Sequence, residues 1–131
     1  MLVLGIESSC DETAAALVNE KREILAETVL SQEEHKIYGG VVPEIAARSH
    51  LDHIDDVIEH TFHKAGIRPE EVDAIAATSG PGLIGGVVVG AMAAKALAFA
   101  LGKPFVVLMN TTEPYSQQTK DLCEQLSDKY G

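Results

Sequence analysis

The stretch LVLGIESSCDETAAALV, residues 2–18, decides the fold because two apolar runs flank a short polar segment. Leu2–Ile6 and Thr13–Val18 are apolar runs of strand length, so each is predicted to be a buried β-strand. If these strands pair antiparallel, Ser8–Glu12 forms the tip of the hairpin between them. Such a tip presents small hydroxyls and backbone N–H groups at one end of the sheet.

The pattern continues downstream with further strands and helices. Glu23–Ser31 has the alternation of a third strand, and His35–Gly40 is predicted to be a loop. Pro43 suits the first turn of a helix and Gly66 its end, and apolar residues recur between them at near-helical spacing. The remaining predicted elements are a strand at Val72–Thr78, a sharp turn at Ser79–Gly82, a helix at Leu83–Leu101, a strand at Pro104–Met109 and a helical segment at Ser116–Lys129.

The order of these elements, β-β-β-α-β-α-β-α, places the chain in the α/β class, with helices packed on a mixed sheet. The short links between the first three strands imply an antiparallel meander. Each later strand–helix–strand step is expected to cross over right-handed. Three antiparallel strands followed by β-α units form the topology of ribonuclease H-like domains, which build one lobe of actin, of the sugar kinases and of the heat-shock ATPases.

Composition limits the partners of the chain. Its 131 residues favour one domain, and 20 acidic against 10 basic residues give a net charge of −10. Such a chain is a poor stand-alone nucleic-acid binder, because phosphate contact needs patches of Lys and Arg. Cys10 and Cys123 lack metal-ligand spacing and fit reduced cytosolic thiols. No segment resembles a signal peptide, and the longest apolar stretch, Gly80–Leu101, contains Lys95. We therefore expect a cytoplasmic location and no membrane partner.

The hairpin tip is the first candidate site. Exposed backbone N–H groups at such a tip can receive phosphate oxygens. Asp11 and Glu12 repel anions, so they fit either a cation that bridges them to a phosphate or a group that orients or deprotonates a nucleophile. An ordinary polar hairpin loop is the alternative. The position directly after the first strand of a fold whose relatives bind phosphate there favours a functional role.

A second candidate site is the turn Ser79-Gly80-Pro81-Gly82, which precedes a predicted helix. Gly80 and Gly82 allow a tight turn and close approach of a ligand to the backbone. The helix N-terminus behind them favours an anion. No Gly-Lys-Ser/Thr follows, so the segment is not a Walker loop. An ordinary strand-to-helix turn explains the same residues equally well.

Two patterns on the predicted helices have structural and functional interpretations. Small residues recur every four positions on the second helix, where they favour close packing on the sheet or on the first helix, or alternatively a partner protein's helix; they are Gly82, Gly86, Gly90, Ala94 and Ala98. Histidines on the first helix stand among acidic residues, where a solvated helix face is favoured over a metal site; they are His50, His53, His60 and His63.

Three long blocks carry a family resemblance: GIESSCDETAAALV, SQEEHKIYGGVVPEIAARSHL and ATSGPGLIGGVVVGAMAAKALAFALGKPFV. Together they resemble the start of the TsaD family, the tRNA adenosine threonylcarbamoyltransferases once called O-sialoglycoprotein endopeptidases or glycoproteases. The resemblance implies one lobe of an actin-like ATPase fold and covers residues 1–107, the N-terminal lobe. Residues 108–131 form a divergent tail in this division of the chain.

The resemblance also implies a reaction and ligands. Family members transfer threonylcarbamoyl from threonylcarbamoyl-adenylate to a tRNA adenosine, and the fold binds ATP or AMP. The family places its first hairpin loop against the nucleotide phosphates. Asp11 and Glu12 thereby become the catalytic candidates, and the residues expected to contact the nucleotide are Ser8, Ser9, Cys10, Thr13, Gly80 and Gly82. The family's N-terminal helices contact a TsaB partner, and tRNA is expected only within a larger complex.

The resemblance fails at the family's metal site. If Asn110 aligns with the family Asn, Thr111 and Tyr115 stand where two histidines hold iron or zinc, and no metal ligand is predicted here. The chain ends at Gly131, where the family continues with a second lobe, so we expect a truncated lobe that is inactive alone. The alternative is a non-catalytic TsaB-like module that dimerises through its helices, and a sugar-kinase fragment is a more distant third.

Overall fold

A computed structural model describes the backbone of residues 1–130 and the side chains of residues 1–128. It contains a mixed five-stranded sheet with the strand order β3-β2-β1-β4-β5. The strands are β1 (Leu2–Glu7), β2 (Glu12–Asn19), β3 (Ile24–Ser31), β4 (Ala74–Gly80) and β5 (Phe105–Met109). The helices are α1 (Pro43–Ala65), α2 (Ile84–Leu101) and α3 (Gln117–Tyr130), with short 3-10 helices at Glu33–Tyr38 and Pro69–Glu71. Gly131, the end of the predicted tail, lies outside the described residues.

The central strand is β1, which pairs antiparallel with β2 and parallel with β4. Glu7 lies opposite Ala14, and Ile6 lies opposite Ala77. The predicted hairpin is therefore confirmed, with its tip between Glu7 and Glu12. Since β1 and β4 run in the same direction, their carboxyl ends meet at the edge of the sheet where this tip lies.

The core lies between one face of the sheet and the helices α1 and α2. Leu4, Leu17 and Ile75 on the strands are fully buried there, and Ile54 and Phe62 of α1 pack against them. Burying a large aliphatic side chain contributes about 1.5–3 kcal/mol. These apolar contacts fix both helices on the same side of the sheet. The opposite face leaves several large side chains partly exposed, among them Val29, Val106 and Leu108.

Two of the predicted local structures need correction. The loop predicted at His35–Gly40 is largely a 3-10 helix, Glu33–Tyr38, which is held by the buried side chain of His35 and ends at Gly39. Strand β4 begins two residues later than predicted and continues to Gly80, because Asn110 N donates to Gly80 O (2.8 Å) and extends the pairing with β5. The other predicted strands and helices lie within two residues of their predicted bounds.

The small-residue stripe of α2 faces inward. Gly86, Gly90, Ala94 and Ala98 are all buried. A Cβ added at Gly86 or Gly90 would lie less than 3.0 Å from Ser8. The prediction that this stripe packs within the chain is confirmed, and it packs on the hairpin tip as well as on the sheet. The alternative prediction, that a partner protein's helix packs on the stripe, is wrong because the chain itself covers it.

Helix α2 is long and apolar enough to cross a membrane by length and composition alone. The buried core helix of a globular domain passes the same test. The glycine and alanine stripe of α2 packs inward on the hairpin tip and the sheet, whereas larger apolar side chains of the helix stay exposed, among them Ile84, Met92 and Phe99.

We expect Gly86→Ala to lower the free energy of unfolding. Its new methyl group would meet the backbone carbonyl of Ser8, which cannot move cheaply. Overpacking costs about 1–3 kcal/mol, whereas replacing a helical glycine by alanine returns at most about 1 kcal/mol. Urea denaturation should therefore show a net loss of about 1–2 kcal/mol.

Gly40→Ala is the matched control, since a Cβ at Gly40 meets nothing within 4 Å. Its stability should stay within about 0.5 kcal/mol of the parent chain. A Gly86→Ala variant at least as stable as the parent would contradict the close packing of α2 on the hairpin tip.

Candidate functional site

Two loops meet at the carboxyl ends of β1 and β4. Leu83 N, at the start of α2, donates to the carbonyl of Ser9 (2.7 Å). A Cβ added at Gly82 would lie less than 3.0 Å from Ser9, so this position admits only glycine without a shift. Gly80 has a φ of +151°, which other residues rarely adopt. The structure therefore brings together the hairpin tip and the turn at residues 79–82, which the sequence predicted as two separate candidate sites.

Two hydroxyl groups of the hairpin are buried and hydrogen-bonded within the chain. Ser8 Oγ donates to the carbonyl of Gly86 (2.7 Å), and Thr13 Oγ1 lies 2.8 Å from His50 Nδ1. The exposed fractions of Ser8 and Thr13 are 1% and 0%. Both side chains thus fix the hairpin to the helices, Ser8 to α2 and Thr13 to α1. Their predicted contact with a nucleotide, like that of Gly80 and Gly82, stays a prediction.

Three consecutive carbonyl groups of the loop also point into the body of the protein. The pairs are Ser9 O with Leu83 N (2.7 Å), Cys10 O with His50 Nε2 (3.1 Å) and Asp11 O with Gln32 N (3.0 Å). In a trans peptide, the carbonyl and the following N–H point in opposite directions. The N–H groups of Cys10, Asp11 and Glu12 are therefore turned away from these anchors. Where successive N–H groups converge on one point, they can form a concave binding site for anions.

The acidic side chains flank these N–H groups. Glu12 is exposed and its Oε1 accepts a hydrogen bond from Ser31 Oγ (3.0 Å), while Asp11 is half-buried. Slight burial and the adjacent Asp11 carboxylate raise the pKa of the Cys10 thiol. The exposed thiol of Cys10 therefore stays protonated near neutral pH and is a weak nucleophile. The catalytic roles of Asp11 and Glu12 stay predictions.

Glu7 is a charged group at this site that the sequence did not single out. Its Oε1 accepts the N–H of Ser9 (2.5 Å) at the base of the loop. Partial burial acts to raise the pKa of Glu7, but hydrogen bonds from Ser9 and Thr78 outweigh burial and hold that pKa below its ordinary value. A signal was available, because Glu7 ends the first strand at the edge of the sheet where the predicted site lies.

His50 is a second residue that the sequence interpretation missed. The solvated-face interpretation fits the exposed His60 and His63, but it is wrong for His50, which is fully buried. His50 lies one helical turn from both Ala46 and Ile54, two buried residues of α1, and so shares their inward face. This spacing of four residues was the signal that could have identified it.

A family model described as TsaD, tRNA N6-adenosine threonylcarbamoyltransferase, matches residues 23–121. A protein of Paramagnetospirillum magneticum with the same descriptive name is 64% identical over 109 residues, which are 82% of this chain. One of Rhodospirillum rubrum is 59% identical over 112 residues, or 81% of this chain. This chain belongs to the TsaD family.

The match covers a limited part of the TsaD relatives. The chain spans 31% of the length of both of these relatives. The family model extends to residue 121, past the proposed boundary at residue 107. The division into residues 1–107 and 108–131 stays a prediction.

Solved structures share the fold at low sequence identity. YeaZ from Pseudomonas aeruginosa superposes with a TM-score of 0.66 at 20% identity, over 99% of this chain and 49% of that one. A second structure from that organism, of an uncharacterized protein similar to peptidase YEAZ, also has a TM-score of 0.66 at 20% identity and covers 89% of this chain and 49% of its own. These likenesses show an α/β fold with a mixed sheet.

The residues at the expected TsaD metal positions do not fit a metal. Thr111 Oγ1 accepts the N–H of Glu113 (3.1 Å), and Tyr115 is 87% exposed. Neither side chain supplies an imidazole nitrogen or a carboxylate oxygen. Within residues 1–128, no group of three or more His, Cys, Asp or Glu side chains is placed to hold a metal ion.

We expect Glu7→Gln to reduce stability at neutral pH but not in acid. The folded-state pKa of Glu7 lies below its ordinary value of 4.5. Ionised Glu7 therefore stabilises the fold above that ordinary value, and this contribution is lost as the pH falls through the lowered pKa. The difference in unfolding free energy between parent and variant should stay below about 1 kcal/mol, because solvent screens a partly exposed carboxylate.

Urea denaturation between pH 7 and pH 3 measures this difference. It should be constant above about pH 6 and shrink toward pH 3. Glu34→Gln, a change of an exposed side chain on the first 3-10 helix, is the control for the removal of one carboxylate away from the loop. A Glu7→Gln difference that grows on acidification would contradict the assignment.

Proposed function

We propose that this chain is the N-terminal lobe of a TsaD-type tRNA threonylcarbamoyltransferase, with the ribonuclease H-like lobe fold. The observation that carries the proposal is the set of three anchored carbonyls at Ser9, Cys10 and Asp11, which leave the three following N–H groups directed away from those anchors. These N–H groups are suited to the phosphate of threonylcarbamoyl-adenylate, ATP or AMP. Family membership supports a role in making threonylcarbamoyladenosine on tRNA.

Our proposal assigns the acidic side chains to the transfer step. The N6 amine of the tRNA adenosine forms a bond to the carbamoyl carbon, the bond from that carbon to the phosphate oxygen breaks, and AMP leaves. The amine must lose a proton, and Asp11 is the proposed acceptor with Glu12 as the second candidate. The outward N–H groups hold the departing phosphate as its negative charge increases.

The net charge determines how this lobe meets tRNA. A chain with a net charge of −10 supplies little attraction for a polyanion. We therefore propose that tRNA binds only within a larger complex whose other segments or subunits carry basic residues. Such a complex acts on cytoplasmic tRNA, so we propose a cytoplasmic location.

The outer surface of α1 and α2 is the proposed partner surface. It presents large apolar side chains to solvent, with exposed fractions of 64% for Leu51, 79% for Ile84, 49% for Val88, 58% for Met92 and 89% for Phe99. Exposed apolar clusters of this kind are typical of protein interfaces. A TsaB-like subunit is the proposed partner. Self-association through the same helices, in a non-catalytic binding module, is the alternative function.

Transfer activity tests the proposed function. In a fusion, residues 1–107 of this chain replace the matching segment of the Paramagnetospirillum magneticum relative, and tRNA modification is assayed with its partner subunits. The fusion should form threonylcarbamoyladenosine, and Asp11→Asn should lower kcat by about 10²–10⁴-fold, as loss of a general base does.

Two controls accompany the transfer assay. Glu34→Gln, a change of an exposed side chain away from the loop, should leave the activity of the fusion unchanged. The purified 131-residue chain alone should show no transfer. Modification of tRNA by the chain alone, or full activity of the Asp11→Asn fusion, would contradict the assigned roles.

Sedimentation tests the partner surface. The chain should sediment as a complex with a TsaB subunit at micromolar concentration, and Phe99→Asp should weaken that complex by at least about tenfold, because it buries a charge. Ile37→Asp, at an equally exposed apolar residue on the first 3-10 helix, is the control and should have no effect. A dimer without TsaB binding favours the alternative. A strict monomer that ignores TsaB contradicts both.

A further inference from the structure

The buried ring of His50 bridges the hairpin loop and strand β2. Its Nε2 lies 3.1 Å from the carbonyl oxygen of Cys10, and its Nδ1 lies 2.8 Å from Thr13 Oγ1. From α1, the two contacts reach the middle of the hairpin tip and the start of β2, 40 and 37 residues away along the chain. The ring is therefore placed to fix the shape of the loop between them.

The partners of the ring define its tautomer. A carbonyl oxygen only accepts hydrogen bonds, so Nε2 must carry a proton and donate to Cys10. In the neutral ring, Nδ1 is then an acceptor, and the hydroxyl of Thr13 donates to it. The carboxamide Nε2 of Gln32 also lies 3.4 Å from Nδ1, as a second donor. Of the two neutral tautomers of His50, the Nε2–H form is therefore the one that pairs both ring nitrogens.

A second layer of hydrogen bonds orients Gln32. Its carboxamide nitrogen donates to Ala46 O (3.2 Å), and its Oε1 accepts from His35 Nε2 (2.8 Å). The Nδ1 atom of His35 accepts the N–H of Val42 (3.3 Å), which requires the same Nε2–H tautomer in that ring. Gln32 and His35 are 8% and 5% exposed. A buried network therefore runs from the segment before α1 to the hairpin loop, with each donor facing an acceptor.

The glycine face of α2 makes room for the ring. A Cβ added at Gly86 would lie 3.1 Å from two atoms of the His50 ring. Gly86 thus lets both Ser8 and the ring approach the helix backbone. The contact leaves the ring little space to turn away from Cys10.

We propose that His50 is the positioning residue of the nucleotide-binding loop, through the hydrogen bond from its Nε2 to the Cys10 carbonyl. That bond fixes the peptide between Cys10 and Asp11 with its N–H turned outward. Without the donor, this peptide is free to rotate, and the loop presents one fewer N–H group to a phosphate. The inference rests on the proposed nucleotide-binding role of the loop.

Two substitutions distinguish the hydrogen bond made by Nε2 of His50 from those made by its Nδ1. The amide nitrogen of a glutamine lies close to the position of Nε2, so His50→Gln retains a donor for Cys10. The shorter carboxamide of His50→Asn lies near the position of Nδ1 and retains only the partners at Thr13 and Gln32. The 131-residue chain carrying each variant is titrated with AMP by calorimetry.

The pair of variants should behave differently toward AMP. His50→Gln should keep the Kd within about threefold of the parent, and His50→Asn should weaken it by about tenfold, the effect of one lost hydrogen bond to a charged group. Equal losses in both variants would overturn the proposal, since a merely structural role does not distinguish the two ends of the ring.

Two measurements on the ligand-free chain keep the test independent of nucleotide binding. The ¹⁵N shifts of the parent His50 ring should report the Nε2–H tautomer, and an Nδ1–H ring would overturn the proposal even if no variant folds. Amide hydrogen exchange and chemical shifts at Cys10 and Asp11 should be parent-like in His50→Gln and altered in His50→Asn. Parent-like loop signals in both variants would also overturn it.

His53→Asn provides a matched control, because His53 is a histidine of the same helix whose Nδ1 lies 2.8 Å from the Ser49 carbonyl of α1 itself. The AMP affinity of this variant should stay near that of the parent, and a tenfold loss would show that any histidine change on α1 weakens binding and would overturn the proposal. If the parent chain itself does not bind AMP, the proposed nucleotide-binding function fails, whereas the ligand-free loop signals still decide the role of His50.

Discussion

The contact of Ser8 with the glycine face of α2 is the constraint on which this end of the molecule depends. The hydroxyl of Ser8 donates to the carbonyl of Gly86, and the distance between loop and helix leaves no room for a side chain at Gly86 or Gly90. This approach brings the start of α2 against Ser9, where the N–H of Leu83 donates to the Ser9 carbonyl. The loop and the helix are therefore placed as one unit.

The proposed anion site is built from backbone groups. The segments at residues 7–13 and 79–86 contain no Lys or Arg. A phosphate at this site would be held by N–H groups, whose direction is set by where the preceding carbonyls are anchored. The acidic Asp11 and Glu12 remain beside it for proton transfer in the proposed reaction. The arrangement suits a chain of strongly negative net charge, since it needs no basic side chain.

The sequence was sufficient for the five strands and the three α-helices, and for the two loops of the candidate site, but not for the 3-10 helices. Polar residues between two apolar runs predicted the hairpin, and Pro43 and Gly66 bounded α1 closely. The glycines at positions 80 and 82 identified the second loop. Each of these inferences depended on neighbours along the chain, where residue type and spacing carry the information.

The sequence did not reveal the interactions that hold the site together. The acidic neighbours of His50 favoured a solvated face, whereas its partners Cys10 and Thr13 lie 40 and 37 residues away. The block SQEEHKIYGGVVPEIAARSHL carried the family resemblance, but the roles of its residues depend on three-dimensional contacts. In the structure, His35 orients Gln32, and Gln32 contacts the ring of His50. Glu7 was hidden in the same way, because its role depends on contacts with Ser9 and Thr78.

The central claim is that the anchored loop presents successive N–H groups to a phosphate. Residue-resolved ¹H–¹⁵N NMR of the labelled 131-residue chain during titration with AMP tests it most directly. The largest amide shifts should fall on Cys10, Asp11 and Glu12 and saturate together. Saturable shifts confined to other parts of the chain, such as the outer surface of α1 and α2, would contradict it.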